Sequence, residues 1–281
     1  TNVTDDATYT AQFAINQYAV TFTADGHGSI VGPTPQTIDH GGNCMPVTAT
    51  PAADYHFTQW DDGDLNATRT VTNVTDDATY TAQFAINQYT VTFRTGGYGS
   101  IAGTASQTID HGGNCTPVTA NPDAGCHFIQ WSDGSPNATL TVTNVTGDAT
   151  YTAQFAINQY TVTFNADPHG AINGTLSQTV DHGGTTTAVT AMPAPGYHFT
   201  QWDDGNLNAT RIVTNVTDNA THTAQFAINQ YTVTFSVSGH GSITGEASQM
   251  VDHGANCTPV TATPDAGYHF DQWSDSNPNA T

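Results

Sequence analysis

Apolar and polar residues alternate through Gln88-Tyr89-Thr90-Val91-Thr92-Phe93, the two-residue period of a half-buried strand with Tyr89, Val91 and Phe93 inward. Gly96-Gly97-Tyr98-Gly99 turns the chain into a short strand around Ile101, and Gln107-Thr108-Ile109-Asp110 predicts a third, ended by His111-Gly112-Gly113. Val118-Thr119-Ala120 and His127-Phe128-Ile129-Gln130-Trp131 flank Pro122-Asp123-Ala124-Gly125, which reads as a hairpin turn. Ser132 to Asn137 is a surface loop. Two more alternating strands follow, Leu140–Thr143 and Thr150–Phe155. No stretch has the 3.6-residue period of a helix, so the expected fold class is all-β.

The same pattern returns every 71 residues, as the spacing of Trp60, Trp131, Trp202 and Trp273 shows. Such periodicity predicts a tandem array of modules. Residues 1–14 are expected to be the C-terminal end of a preceding repeat. Residues 15–85, 86–156 and 157–227 make three complete repeats, and 228–281 an incomplete fourth. The chain has the look of a window on a longer array. A unit of this size sits near the roughly 60 residues at which a core becomes thin, so the recurring Trp, Tyr and Phe are expected to fill it. Phe84-Ala85-Ile86-Asn87-Gln88-Tyr89 runs from the last strand of one unit to the first of the next with no Gly, Ser or Pro tract. Flexible tethering is therefore not expected, and the array is expected to be a semi-rigid rod.

Composition narrows the partners. The chain carries 24 Asp and Glu against 3 Lys and Arg, the latter being Arg69, Arg94 and Arg211. It has no basic footprint for nucleic acid or for an anionic membrane surface. No run of about 18 apolar residues occurs, so no membrane insertion is expected in this segment. Without lysine, neither an internal Lys–Asn cross-link nor a Lys acceptor for a neighbouring subunit exists. Thr, Val, Tyr, Phe, Gly and Asn favour short strands and tight turns.

Three stretches carry a resemblance: Tyr89 to Gly103 ("YTVTF" then "GSI.G"), Pro117 to Trp131 ("PVTA.PDAG..F..W") and Thr141 to Phe155 ("TVTNVTGDATYTAQF"). With their counterparts in every unit they resemble the divergent internalin B-type repeat of bacterial surface proteins. The resemblance implies small β-rich modules of β-grasp-like arrangement, in secreted or cell-surface arrays that serve as stalks and adhesins. It supplies no catalytic residue. Abundant His, the presence of Cys and the lack of Lys depart from it.

Several motifs could carry chemistry. Asp110-His111-Gly112-Gly113 recurs as Asp39-His40, Asp181-His182 and Asp252-His253. Asp beside His suggests a proton relay or a ligand pair, yet neighbours on a strand face opposite ways, and a strand-end turn explains the motif as well. A second series is His56, His127, His198 and His269; a third is His27, His169 and His240, with Tyr98 in the second unit. Histidines from different strands could still converge on zinc. Asp61, Asp62 and Asp64 in a Gly-containing loop are calcium candidates, although the loop varies between units. Sequons make Asn66, Asn73, Asn137, Asn144, Asn208, Asn215 and Asn279 candidate N-glycan acceptors. Cys44, Cys115 and Cys257 share one repeat position, where the third unit has Thr186. They are either free thiols or candidates for a disulfide to another strand of a fibre. Cys115 and Cys126 share a unit, but the turn between them is off-centre, which argues against their pairing.

These readings lead to a non-enzymatic structural protein, extracellular or at the cell surface, forming a stalk or filament. Self-association with further copies is expected. The alternative is an adhesin whose repeated loops bind a glycan or a surface receptor. No cofactor other than the calcium candidate is expected.

Overall fold

The computed structural model describes residues 2–281; Thr1, which opens the expected N-terminal remnant, lies outside the described residues. There is no helix among them. The first module contains β1 (Gln17–Ala24), β2 (Gly28–Val31), β3 (Gln36–Asp39), β4 (Val47–Pro51), β5 (Tyr55–Trp60), β6 (Thr68–Arg69) and β7 (Ala78–Ile86). The second repeats these as β8 (Gln88–Thr95), β9 (Gly99–Ala102), β10 (Ser106–Asp110), β11 (Val118–Pro122), β12 (Cys126–Trp131), β13 (Thr139–Leu140) and β14 (Ala149–Ile157). The third has β15 (Gln159–Ala166), β16 (Gly170–Asn173), β17 (Ser177–Asp181), β18 (Val189–Pro193), β19 (Tyr197–Trp202), β20 (Thr210–Arg211) and β21 (Ala220–Ile228).

Each complete module packs two small sheets face to face. In the first, a mixed sheet runs β3-β1-β7-β5, with the first and last strands parallel at its centre and antiparallel partners outside. That central pair is the β-grasp-like feature. A three-stranded antiparallel sheet, β2-β4-β6, covers it in place of a helix. Alternation puts Val20 and Phe22 of β1, Val47 and Ala49 of β4, and Ala82 and Phe84 of β7 between the layers, around Trp60. Trp60, Trp131 and Trp202 are fully buried. Truncating any of them to alanine would cost about 3–5 kcal/mol, a large part of a small module's stability. Each indole Nε1 is satisfied six residues later, by the carbonyl of Asn66, Asn137 or Asn208.

The buried side of the core has a polar member that the alternation does not announce. Gln107 is 7% exposed, and its amide donates to the carbonyls of Thr104 and Thr116 while accepting from the Thr116 N–H. Gln36, Gln178 and Gln249 do the same in their modules. This amide staples the loop before β3, β10, β17 or its fourth-module equivalent to the segment leading into the next strand.

Two expectations need correction. Pro122 to Gly125 does not close a hairpin: β11 pairs with β9 and β13, and the equivalent β4 and β5 lie in different sheets. The turn carries the chain across the core from one layer to the other. The strand expected over Leu140–Thr143 shortens to Thr139–Leu140, because the carbonyl of Val142 is taken by the N–H of Cys115.

The fourth module has β22 (Gln230–Thr234), β23 (Gly241–Thr244), β24 (Ser248–Asp252) and β25 (Thr261–Pro264), paired as β22-β24 and β23-β25. Residues 228–281 contain no counterpart of β21. Trp273, expected in the core with the other three, is accordingly only half-buried. Residues 2–16 form no strand, and Phe13 is 95% exposed. By contacts the chain divides into two units, Thr1–Pro122 with Phe128–Phe155, and Asp123–His127 with Ala156–Thr281.

Candidate functional site at the module joint

One asparagine separates consecutive modules. β7 ends at Ile86 and β8 begins at Gln88, so Asn87 alone is the connector. Three polar groups of Asn87 are engaged at the joint. Its N–H donates to the carbonyl of Asp54 in the preceding turn (2.8 Å), and its carbonyl accepts from the N–H of His111 in the following module (2.8 Å). Its side-chain Oδ1 lies 3.0 Å from Nδ1 of His56. Asn158 repeats this with Gly125, His182 and His127, and Asn229 with Gly196, His253 and His198. The first joint lies within the first unit and the other two within the second.

The Asp-His-Gly-Gly motif belongs to this joint. Its Asp accepts from the strand-opening glutamine, as Asp110 does from Gln88 (2.8 Å), and so points back into its own module. Its His turns towards the neighbour. Nε2 of His111 meets Oδ1 of Asp54 at 3.1 Å. His182 and His253 instead cover a glycine, where an added Cβ would lie 2.1 Å from the His182 ring at Gly125 and 2.3 Å from the His253 ring at Gly196. Gly125 and Gly196 also have φ of 76° and 82°, a region where Asp54 stands at 70°. The motif thus divides its two residues between two modules, which leaves no proton relay.

The third histidine series stacks on tyrosine. His27, His169 and His240 stack on Tyr55, Tyr197 and Tyr268 with centroids 4.1–4.4 Å apart and nearly parallel planes. None of the three sequence series converges on a metal. The one cluster with ligand-like geometry among the described residues is Asp203, Asp204 and His222. Arg211 occupies it, bound through both guanidinium nitrogens to Asp204 and 3.3 Å from Nδ1 of His222. Burial, followed by the Arg211 charge, holds His222 below the usual imidazole range despite two nearby carboxylates.

Calcium at Asp61, Asp62 and Asp64 is likewise disfavoured. The Arg69 guanidinium takes both oxygens of Asp62 and lies over the ring of Tyr80 at 3.9 Å. Asp64 accepts from the N–H and side-chain amide of Asn66. Arg69 and these amides supply the positive partners an ion would have supplied. The Asp62 carboxyl is lowered, first by its bond to Arg69.

Cys44 and Cys115 are each 4% exposed inside their cores, where burial raises the thiol pKa. A disulfide from either to another chain would require its core to open. Cys257 occupies the same position in the open fourth module and is half-exposed; all four cysteines are free. The sequon asparagines Asn66, Asn73, Asn137, Asn144, Asn208, Asn215 and Asn279 are exposed. Asn73, Asn144 and Asn215 adopt φ near 53°, in the turn that precedes the closing strand.

Comparison with known proteins defines the class. The family of divergent InlB B-repeat domains matches residues 18–88, 89–159, 160–230 and 231–281, and the chain belongs to that family. It is a tandem array of four matches, three of them complete modules. Two proteins of Evansella cellulosilytica, by name a Gly-rich membrane protein and a membrane protein, are each 25% identical over 96% and 84% of this chain. The chain spans about a third of the length of these curated relatives, 31% and 35%. Among solved structures, the Bacillus anthracis TIE protein is similar over 75% of this chain and 51% of its own, at 8% identity and a TM-score of 0.39. Domains 3–4 of the Streptococcal High Identity Repeats in Tandem, from a cell surface protein, cover 50% of this chain and 98% of theirs, at 14% identity and a TM-score of 0.22. Among the described residues no helix is long and apolar enough to cross a membrane.

Proposed function

We propose that the chain is a non-enzymatic structural array, extracellular or at the cell surface, whose work is to hold successive modules in fixed orientation as part of a stalk or filament. The observation that carries this reading is the joint. A single residue links modules, its N–H, carbonyl and side chain are all bonded across the junction, and the arrangement recurs at Asn87, Asn158 and Asn229. A connector of this kind loses little freedom and transmits orientation, where a Gly/Ser tether would not. Family membership and the names of the relatives support a surface setting. Small-angle scattering of the full chain tests it. The expected profile is that of modules with fixed spacing, and replacing Asn87, Asn158 and Asn229 together by glycine is expected to blur it. A native profile already like that of freely jointed beads would sink the reading.

A second reading, an adhesive array, has one feature in its favour. The stacked pairs His27–Tyr55, His169–Tyr197 and His240–Tyr268 recur as flat, partly exposed aromatic surfaces suited to a sugar face. Weak sites on one chain would add through avidity. Glycan-array binding lost in Tyr197→Ala would favour it.

A further inference from the structure

We propose that the joints between modules are binding sites for a neutral sugar unit. The first joint carries an open cleft of about 570 Å³ lined by His56, Ala85, Ile86, Asn87, Gln88 and Tyr89. That size suits a small ligand. His56, Ala85 and Ile86 belong to the first module and Gln88 and Tyr89 to the second, so an occupant touches both.

Strand alternation builds the cleft. His56 and Ala85 are cross-strand partners on β5 and β7, on the face of the sheet turned away from the core, while their neighbours Phe57 and Phe84 turn inward. The second joint repeats the lining. Ala156-Ile157-Asn158-Gln159-Tyr160 is identical to Ala85-Ile86-Asn87-Gln88-Tyr89, and His127 stands for His56. At the third joint His198 and Ala227 are partners in the same way.

The polar groups of the lining select the ligand. An amide oxygen can only accept, so Nδ1 of His56 carries the proton and donates to Asn87 at 3.0 Å, as His127 does to Asn158 at 2.7 Å. The neutral ring keeps an acceptor at Nε2, on an exposed side chain. The Asn87 amide keeps its two Nδ2 protons. Among the described residues neither Nε2 of His56 nor Nδ2 of Asn87 has a partner. An acceptor beside a donor matches two neighbouring hydroxyls, one donating and one accepting. Ala85, Ile86 and the ring of Tyr89 supply apolar surface for the body of a sugar ring.

Charge argues against other ligands. Neither Asp nor Glu, Lys nor Arg lines the cleft. Asp110 is engaged by Gln88, and Asp54 by His111. A net charge of −21 repels an anion. Tyr55 precedes His56 on β5 and so faces the other side of the sheet, which separates this site from the His27–Tyr55 stack. Weak sites one module apart add along the array. The inference rests on the joint geometry that carries the structural reading, yet sugar binding can fail while the scattering profile stays that of fixed modules.

The full chain on a printed array of neutral glycans tests it, and binding to a defined set is expected. Replacing Ala85, Ala156 and Ala227 together by glutamine fills each cleft without removing a joint bond. It should bring the signal to background while the melting temperature and scattering profile stay unchanged. Replacing His56, His127 and His198 together by alanine removes the Nε2 acceptors and should weaken the same signal, a second measure should the glutamines unfold the sheet. Replacing His27, His169 and His240 together by alanine should leave it intact. Absence of binding to any neutral glycan overturns the inference, as does binding that survives both cleft variants. Loss of binding in the His27, His169 and His240 variant alone places the sugar on the stacked pairs and overturns it too.

Discussion

The imidazole of His182 lies on Gly125, a residue of the preceding module 57 positions earlier in the chain. Nothing but glycine fits beneath it, since a Cβ would sit 2.1 Å from the ring. Gly125→Ala is expected to displace His182 and loosen that joint. A left-handed alanine alone costs about 1–2 kcal/mol. Denaturant titration should show a loss of this order in the second module, which contains Gly125. Asp54→Gly, which replaces the one exception by the common residue, should be tolerated at the first joint.

Burial of the amide of Gln107 predicts a stability effect confined to one module. Gln107→Ala removes its bonds to the N–H and carbonyl of the exposed Thr116, at a net cost of about 0.5–1.5 kcal/mol for each bond lost. Calorimetry should resolve a lower transition for the second module while the first and third melt unchanged. A uniform shift of all modules would contradict that independence.

The third module should be the most sensitive to mild acid. His222 is held below its ordinary range by burial and by Arg211, so the unfolded chain binds the proton more readily. Stability is fully present above the unfolded imidazole value of about 6.5 and is lost as pH falls through the lower folded value. Tyr80 and Tyr151 stand at the same position in the other complete modules. His222→Tyr is expected to remove the dependence, as followed by thermal melts between neutral and mildly acidic pH. The lowered carboxyls of Asp62 and Asp204 act in a separate window, their contribution fading only as pH falls through their depressed values.

Thiol labelling should sort the cysteines by burial. Cys126 and Cys257 are expected to react in the native chain, and Cys44 and Cys115 only on unfolding, because both are sealed in cores and their thiolates are disfavoured. Mass spectrometry after brief alkylation decides it; rapid native labelling of Cys115 would show that the core opens readily.

Chelation offers a last check. Arg69 already neutralises Asp62, so calcium or a chelator is expected to leave the first module's melting temperature unchanged, while Arg69→Ala lowers it.

Strand positions such as Gln88–Phe93 were legible because alternation is a property of neighbouring residues. Trp131 was legible as core because its size demands burial. Partner choice was not. Pro122 to Gly125 announces a reversal of the chain but not the sheet that the next strand joins. The roles of His111 and His182 were hidden because their partners, Asp54 and Gly125, lie in another module. Only the spacing shared by each joint asparagine and its histidine, as from His56 to Asn87, recurs as a trace of them. The sequence leaves Cys44 open between a free thiol and a linkage site, because a sequence cannot show that this position is buried, as it is for Cys44 and for Thr186, 5% exposed and bonded to Val213.

The parallel pairing of β1 with β7 has a mechanical consequence. Tension drawn along the chain enters a module at the start of β1 and leaves at the end of β7, opposite extremities of two adjacent strands running the same way. The bonds between them are then sheared together and cannot be unzipped one at a time, so each module resists pulling as a clamp.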